Sequence, residues 1–133
     1  MLNLMERDNV AAVRRLWDAF AEGGLDAVLH IVDPDVEWSL FGTGGEVVRG
    51  HHGLREYMTD VAARGDEIDA SVYEYEALDD DHVLVSGHVR VRSATGMSDT
   101  QLHWMYRFRE GRLVRFQAYQ TRAEALEAAR GED

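Results

Sequence analysis

Two adjacent histidines, His51 and His52, are the residues of this sequence with the most direct capacity for acid–base or metal chemistry. Imidazole titrates near neutral pH and also binds metal ions, so such a pair could act as a general base or as two metal ligands. Neighbouring side chains at the start of a helix point in different directions, however, and only Glu56 shares a helix face with His52. We therefore expect no metal site at this position.

Two further motifs resemble ligand-binding loops in composition only. The run from Asp79 to Asp81 lacks the spaced oxygen ligands of a calcium loop, and the segment from Gly42 to Gly45 lacks the spacing of a dinucleotide-binding loop. The first is predicted to be a hairpin turn, and the second a turn at the mouth of the domain. The sequence therefore predicts neither a bound metal nor a cofactor.

The amino-acid composition excludes several other chemistries. The 133 residues contain no cysteine, and all 14 basic residues are arginines, so disulfides, thiolate nucleophiles and lysine Schiff bases are excluded. A formal net charge of −11 would repel a phosphate backbone, and no apolar run is long enough to span a bilayer. We therefore expect a single domain over residues 1–133, located in the cytoplasm, with neither nucleic acid nor membrane as a partner.

The order of the predicted elements indicates an α+β fold. Apolar residues at helical spacing predict helices over residues 8–22, 25–32, 52–64 and 122–130, the last of them opened by a capping box of Thr121 and Glu124. Apolar alternation predicts strands over residues 36–41, 46–49, 67–78, 82–93, 99–109 and 112–120. We therefore predict a strongly curved mixed or antiparallel sheet wrapped around three N-terminal helices, with a short C-terminal helix.

Alternation in the long strands identifies the inner face of the sheet. The strand over 82–93 carries valines on one side and polar residues on the other, whereas the strand over 67–78 breaks its alternation near Tyr73, where we predict a bulge or a sheet edge. For the last hairpin we predict a three-residue loop over 109–111 with a left-handed glycine, which pairs Phe108 with Arg112. The inner wall then consists of Leu102, Trp104, Tyr106, Phe108, Val114, Phe116 and Ala118.

The inward aromatic residues either line a cavity for a small, flat hydrophobic molecule or fill the core themselves. Gly87 and Ala118 are small residues on the predicted inner wall, and they favour a cavity. We therefore predict a ligand-binding cavity lined by Trp17, Phe20, Trp38, Leu40, Val85, Trp104, Phe116 and Ala118.

The predicted outer face carries an unusual number of cationic or titratable groups for an acidic protein. It holds His88, Arg90, Arg92, His103, Met105, Arg107, Leu113, Arg115, Gln117 and Tyr119. These groups either pair with acids of a second subunit or form cross-strand pairs on a solvated face. The apolar side chains of Met105, Leu113 and Tyr119 favour a homodimer through this face.

Five segments cover nearly the whole chain in a familiar order. They are the first helix with Trp17 and Phe20, Pro34-Asp35-Val36-Glu37-Trp38, Arg49-Gly50-His51-His52-Gly53, the hairpin around Phe108-Arg109-Glu110-Gly111-Arg112, and the stretch from Tyr119 to Leu126. In this order they resemble the SnoaL-like group of the nuclear transport factor 2-like superfamily. The resemblance implies a cystatin-like cone with an internal cavity, and commonly a homodimer. Members include polyketide cyclases, ketosteroid isomerase and limonene-epoxide hydrolase, so the fold alone does not select an activity.

The resemblance argues against epoxide hydrolysis. The hydrolase's acid–arginine–acid arrangement corresponds here to Val85, Gly87 and Ala118, and its water-holding tyrosine and asparagine correspond to Trp38 and Leu40. None of these five side chains can serve as a general acid or base.

The cyclases and isomerases of the family imply a simpler site, in which a proton shuttle works beside a hydrogen-bond donor in an apolar cavity. On this resemblance Tyr106 or Tyr57 is the expected donor and His52 the expected base, without a cofactor. The alternative is a non-catalytic module for small-molecule binding or dimerisation, which the scarcity of inward carboxylates favours.

Overall fold

The computed structural model describes residues 3–22, 25–39, 48–65 and 67–130. In this part of the chain the helices are α1 (Leu4–Glu22), a 3₁₀ helix (Leu25–Ile31), α2 (Gly50–Arg64) and α3 (Arg122–Arg130). The strands are β1 (Val32–Ser39), β2 (Val48–Arg49), β3 (Glu67–Ala77), β4 (His82–Ser93), β5 (Gly96–Arg109) and β6 (Arg112–Tyr119). No helix within these ranges is both long and apolar enough to cross a membrane.

The described strands form one curved sheet in the order β2-β1-β6-β5-β4-β3. β1 runs parallel to β6, while the other neighbours are antiparallel, so the sheet is mixed. The inner face packs against α1 and the 3₁₀ helix, which share one apolar core with it. The predicted α+β cone with a short C-terminal helix is therefore confirmed.

The first helix begins four residues earlier than the apolar spacing predicts. Asn3 caps it, because its side-chain oxygen accepts a hydrogen bond from the Glu6 backbone N–H at 2.8 Å while Glu6 accepts one from the Asn3 N–H at 3.0 Å. Leu4 and Met5 in the first turn are exposed. Capping rather than burial fixes this end of the helix.

The predicted three-residue loop between β5 and β6 is wrong. Glu110 and Gly111 form a two-residue loop with φ of 51° and 80°, which is the left-handed pair that a type I′ turn requires. The register shift occurs one step later, where Phe108 pairs with Leu113 and Arg107 pairs with Arg115. Val114 is therefore the bulged residue.

The bulge at Val114 explains which face assignments hold and which fail. It changes the parity of β6 as the predicted loop would have done, so Phe116 and Ala118 lie on the inner face as predicted. They pair with Tyr106 and Trp104, which is two residues away from the predicted register. Leu113 lies before the bulge and belongs to the inner core with 1% exposure. Its assignment to the outer face is wrong.

A bulge in β3 lies at Tyr73, as predicted, and β3 is also an edge strand. Past the bulge Tyr75 packs against the inner core, whereas the carboxylate of Glu76 accepts a hydrogen bond from Arg122 at 2.7 Å. Opposite the bulge, a Cβ on Gly87 would lie 3.0 Å from the Cα of Val72. The absent side chain at Gly87 therefore admits the backbone of β3 rather than leaving free volume.

A second apolar cluster lies on the outer face of the sheet, beneath α3. Leu84 and Met105 are buried there against Ala125 and Ala129 of the helix, with Tyr119 beside them. Met105 is thus covered by this chain itself, and Leu113 is on the other face. Met105 and Leu113 therefore give no support for a homodimer through the outer face, and Tyr119 packs beside the cluster beneath α3. The homodimer stays a prediction.

Candidate functional site

A row of three aromatic rings crosses the inner face of the sheet. Trp38 of β1 stands beside Phe116 of β6, and Phe116 stands beside Tyr106 of β5, because these residues are register partners in adjacent strands. The ring centroids are 5.8 Å and 5.3 Å apart, and the planes differ by only 10° and 12°. The result is a buried row of three rings that stack on one another.

Two helices close over the ends of this row. Trp17 of α1 meets Trp104 edge-on at 4.9 Å, and Tyr57 of α2 meets Trp38 edge-on at 5.4 Å. The aromatic interior therefore draws side chains from α1, α2, β1, β5 and β6.

Tyr106 supplies the deepest hydroxyl group in this interior. Burial raises its pKa far above the ordinary range, the neighbouring Tyr75 raises it further, and the Trp17 indole N–H lowers it. The hydroxyl therefore stays protonated at any physiological pH, and it can donate a hydrogen bond but cannot act as a base. This is the protonation state that an electrophilic hydrogen-bond donor needs.

Tyr75 was not among the predicted site residues. It packs against the inner core from β3, and the Arg14 guanidinium of α1 lies 4.3 Å from the centre of its ring. Burial raises the pKa of Tyr75, the Arg14 charge lowers it and the Asp18 charge raises it. The sequence feature that could have identified Tyr75 is the bulge predicted at Tyr73. A bulge reverses the alternation of the strand, and it turns Tyr75 inward.

Most of the predicted ligand-binding residues come together in this interior. Trp38, Val85, Trp104 and Phe116 are buried in one core, and Trp17 and Ala118 pack against it. Of the predicted donors, Tyr106 lies in the same core and Tyr57 packs against it. The side chain of Phe20 and the whole of Leu40 lie outside the described residues.

Comparisons with known proteins identify the family of this chain. The family model of the SnoaL-like domain matches residues 13–116. The chain belongs to the SnoaL-like family. A search of curated proteins finds no match.

Solved structures with the same fold cover nearly the whole of this SnoaL-like domain. An NTF2-like protein of unknown function from Burkholderia pseudomallei is 25% identical, with a TM-score of 0.74 and coverage of 90% of this chain and 95% of that one. TerC, co-crystallized with polyporic acid, is 24% identical, with a TM-score of 0.74 and coverage of 90% and 96%. A candidate SnoaL-like polyketide cyclase from Jannaschia is 17% identical, with a TM-score of 0.75 and coverage of 100% and 98%.

His52 lies away from the aromatic interior of the SnoaL-like domain. Its side chain is 88% exposed on α2 and is 3.3 Å from the Glu56 carboxylate. His51 instead ties α2 to β1, because its Nε2 is 2.8 Å from the carbonyl oxygen of Val32. The structure thus does not bring the predicted base together with Tyr106.

An open depression on α2 is lined by His52 with Arg55, Glu56, Thr59 and Asp60. Arg55 is engaged there by Asp26 of the 3₁₀ helix at 2.9 Å. Across residues 3–22, 25–39, 48–65 and 67–130, no three His, Asp or Glu side chains are arranged to hold a metal ion.

Cross-strand pairs on the outer face use acids of the same chain. Asp99 of β5 lies 3.4 Å from His88 and 3.4 Å from Arg90, both of β4. Deeper on this face, the Ser86 hydroxyl and the Nδ1 atom of His103 are 2.8 Å apart and buried. These pairs account for part of the unusual cationic character without a second subunit.

Proposed function

We propose that this SnoaL-like domain binds a small, flat, hydrophobic molecule between the aromatic side chains of its inner face, with the Tyr106 hydroxyl as hydrogen-bond donor. The observation that carries the proposal is the row of near-parallel rings formed by Trp38, Phe116 and Tyr106. Planar aromatic surfaces favour planar partners, because stacking adds to the gain from burying apolar area.

Tyr106 also supports proton-transfer chemistry such as isomerisation or cyclisation. When a proton leaves the carbon next to a carbonyl, negative charge develops on the carbonyl oxygen. A donor that is already protonated and held in a dry environment stabilises that charge at little reorganisation cost. The raised pKa of Tyr106 keeps it in this state.

A specific observation favours a second candidate function, which is binding without catalysis. Among the residues that the structure describes, the buried polar side chains are those of Asn9, Ser39, His82, Ser86 and His103, and none of them is an aspartate or glutamate. Proton transfer needs a base within reach of the substrate, whereas binding does not. The two candidates therefore differ in one measurable property, the acceleration of proton exchange.

Binding is tested with 2-isopropylnaphthalene, a flat apolar probe, by following the thermal midpoint of unfolding. A ligand of the folded state stabilises it by about 2.7 kcal/mol at a hundred times its Kd, so the midpoint rises with probe concentration. We expect Ala118→Leu, which fills space beside Trp104, to remove this rise, and Ala123→Leu on the exposed side of α3 to keep it. A midpoint of the wild-type protein that does not respond to the probe refutes the proposal.

Catalysis is tested by deuterium exchange into the methyl group of 2-acetylnaphthalene in D₂O, followed by NMR. Exchange requires removal of a methyl proton and charge development on the ketone oxygen. If the domain catalyses this step, Tyr106→Phe is expected to slow it about 100-fold. Tyr73→Phe makes the same change at a 55% exposed position and is expected to have no effect. Exchange no faster than in buffer selects the non-catalytic candidate.

A further inference from the structure

Four of the 14 basic residues lie together on the outer face of the β5–β6 hairpin. Phe108 and Leu113 are register partners in the inner core, so the arginines beside them in each strand lie on the opposite face. The arginine before the inward Phe116 lies on that face for the same reason. This arginine patch consists of Arg107, Arg109, Arg112 and Arg115.

The bulge at Val114 brings the last of these arginines to the outer face. In a regular strand Arg115 would lie on the side opposite to Arg112, because the two are three residues apart. The extra residue restores the parity, so Arg107 pairs with Arg115 while Arg109 pairs with Arg112. The patch thus consists of two cross-strand pairs that are two residues apart on β5, which is about 7 Å along the strand.

This arrangement does not stabilise the hairpin. Like charges directly opposite each other in adjacent strands repel. Among the residues that the structure describes, no carboxylate forms a salt bridge with Arg109 or Arg112, and both arginines are exposed. Other arginines pair with acids of this chain, and these are Arg49, Arg55, Arg90, Arg92 and Arg122. The stability of the fold therefore does not account for the patch.

Two carboxylates of β1 that lie towards the patch are engaged elsewhere. Glu37 is the register partner of Arg115, but its carboxylate is 3.2 Å from the guanidinium of Arg49. Asp33 borders an open depression beside the turn, and its carboxylate accepts a hydrogen bond from the Asp35 N–H at 2.8 Å. The depression is lined by Asp33, Arg109, Glu110, Arg112 and Val114. Its two arginines are therefore open to carboxylates that come from outside the fold.

We propose that the arginine patch docks an extended acidic segment of a partner protein, in which Asp or Glu residues alternate with other residues. Alternate side chains of an extended chain lie about 7 Å apart on one side, which matches the spacing of the two arginine pairs. A guanidinium binds a carboxylate through two parallel hydrogen bonds. The patch and the aromatic interior lie on opposite faces of the sheet, so this docking is independent of the binding function above.

Two other occupants fit the patch less well. Nucleic acid would extend past the hairpin onto the surface of a chain with a net charge of −11, which repels phosphates. A second copy, paired about a two-fold axis through the hairpin, would place arginine against arginine. A short acidic segment avoids both conflicts.

A fluorescently labelled peptide, Glu-Ser-Glu-Ser-Glu-Ser, tests the proposal by fluorescence anisotropy with the full chain. We expect saturable binding whose Kd rises about tenfold between about 20 mM and about 200 mM NaCl, because salt screens exposed charges. The permuted peptide Glu-Glu-Glu-Ser-Ser-Ser has the same charge, and we expect its Kd to be about threefold higher. The proposal is overturned if neither peptide binds at low salt, or if both bind with the same affinity.

Two double variants separate the patch from the overall charge. Arg109→Gln with Arg112→Gln removes two charges of the patch, and we expect it to raise Kd about tenfold. Arg90→Gln with Arg92→Gln removes two charges from the outer face of β4, where both arginines pair with acids of this chain. This control is expected to change Kd by no more than about twofold. An equal loss of affinity in both means that binding reflects net charge alone, and it overturns the proposal.

Three further measurements exclude other roles of the patch. Because its arginines repel each other, the Arg109→Gln, Arg112→Gln variant should unfold in urea at or above the wild-type midpoint. A lower midpoint assigns the two arginines to the stability of the hairpin. A mass by light scattering below that of the wild type assigns them to a contact between copies. Inorganic phosphate that displaces the peptide at equal concentration assigns them to small anions. Each of these three results overturns the proposal.

Discussion

Replacing Gly87 with alanine should destabilise the domain, because the added methyl group has no room. Its Cβ would lie 3.0 Å from the Cα of Val72 and closer still to the carbonyl oxygen of Ser71. Both are backbone atoms of β3, so no side-chain rotation relieves the contact. The strand must move by about 0.5–1 Å to restore normal van der Waals distances.

The expected cost is about 2 kcal/mol, in the middle of the range for overpacked interiors, because β3 is an edge strand and can yield. With a urea m-value of about 1–3 kcal/mol/M, the unfolding midpoint should fall by about 1 M. Tryptophan fluorescence can follow the transition, since the indole rings lie in the inner core.

Gly53→Ala is the control for this experiment. Its Cβ would meet only a methyl group of Val48, at 2.5 Å, and that side chain can rotate away. Alanine also gains up to about 1 kcal/mol over glycine inside a helix, so the midpoint of this variant should be near or above that of the wild type. The reasoning about β3 is refuted if Gly87→Ala is as stable as the wild-type protein.

Three further predictions concern a buried hydrogen bond, a helix N-cap and a hairpin aspartate. Asn9→Ala removes a buried donor that is 2.7 Å from the carbonyl oxygen of Asp80, and it should cost about 1–2 kcal/mol in urea unfolding; a variant as stable as the wild type would contradict this. Thr121→Ala removes the N-cap of α3, whose hydroxyl accepts the Glu124 N–H at 3.1 Å, and it should cost about 1 kcal/mol by the same assay. Burial raises the pKa of Asp79, but hydrogen bonds from the chain that follows it hold that pKa below its usual 3.8 overall. Its contribution to stability is therefore complete above pH 4 and is lost as pH falls further, so Asp79→Asn should flatten the acid limb of the stability profile; an unchanged limb would refute its role.

Local sequence signals predicted the bounds of an element correctly where the signal itself marks the residue at which the element begins. The strict alternation of β4 begins directly after the aspartate run, and its predicted bounds, His82 and Ser93, agree with the structure. The capping box at Thr121 likewise fixed the start of α3. The start of α1 was missed because Asn3 precedes exposed residues, and periodicity reports only on burial.

Signals that depend on backbone conformation were less informative. Glu110 adopts a left-handed conformation that glutamate seldom adopts, so the two-residue turn was not expected from its residue type. The inner face was nevertheless predicted, because mixing arginines into a core is so costly that only one parity of β6 is stable. Burial of Tyr106 and Phe116 together follows from that parity.

The candidate site was predictable in its aromatic members but not in its polar ones. Strand alternation identifies which rings point inward, whereas the hydrogen bond of the Trp17 indole N–H to the Tyr106 hydroxyl depends on atomic positions. The exposure of His52 similarly depends on how α2 rotates against β1, which adjacent histidines leave undetermined.

The parallel pairing of β1 with β6 has a consequence for how the domain is made. Trp38 belongs to the first third of the chain, and its partner Phe116 belongs to the last strand. During synthesis the ribosome has released most of the chain before this pair can form, and closing so long a loop is slow. The aromatic interior is thus among the last features to be completed. A nascent chain that stops before β6 lacks Phe116, and Trp38 then has no partner strand on that side of β1.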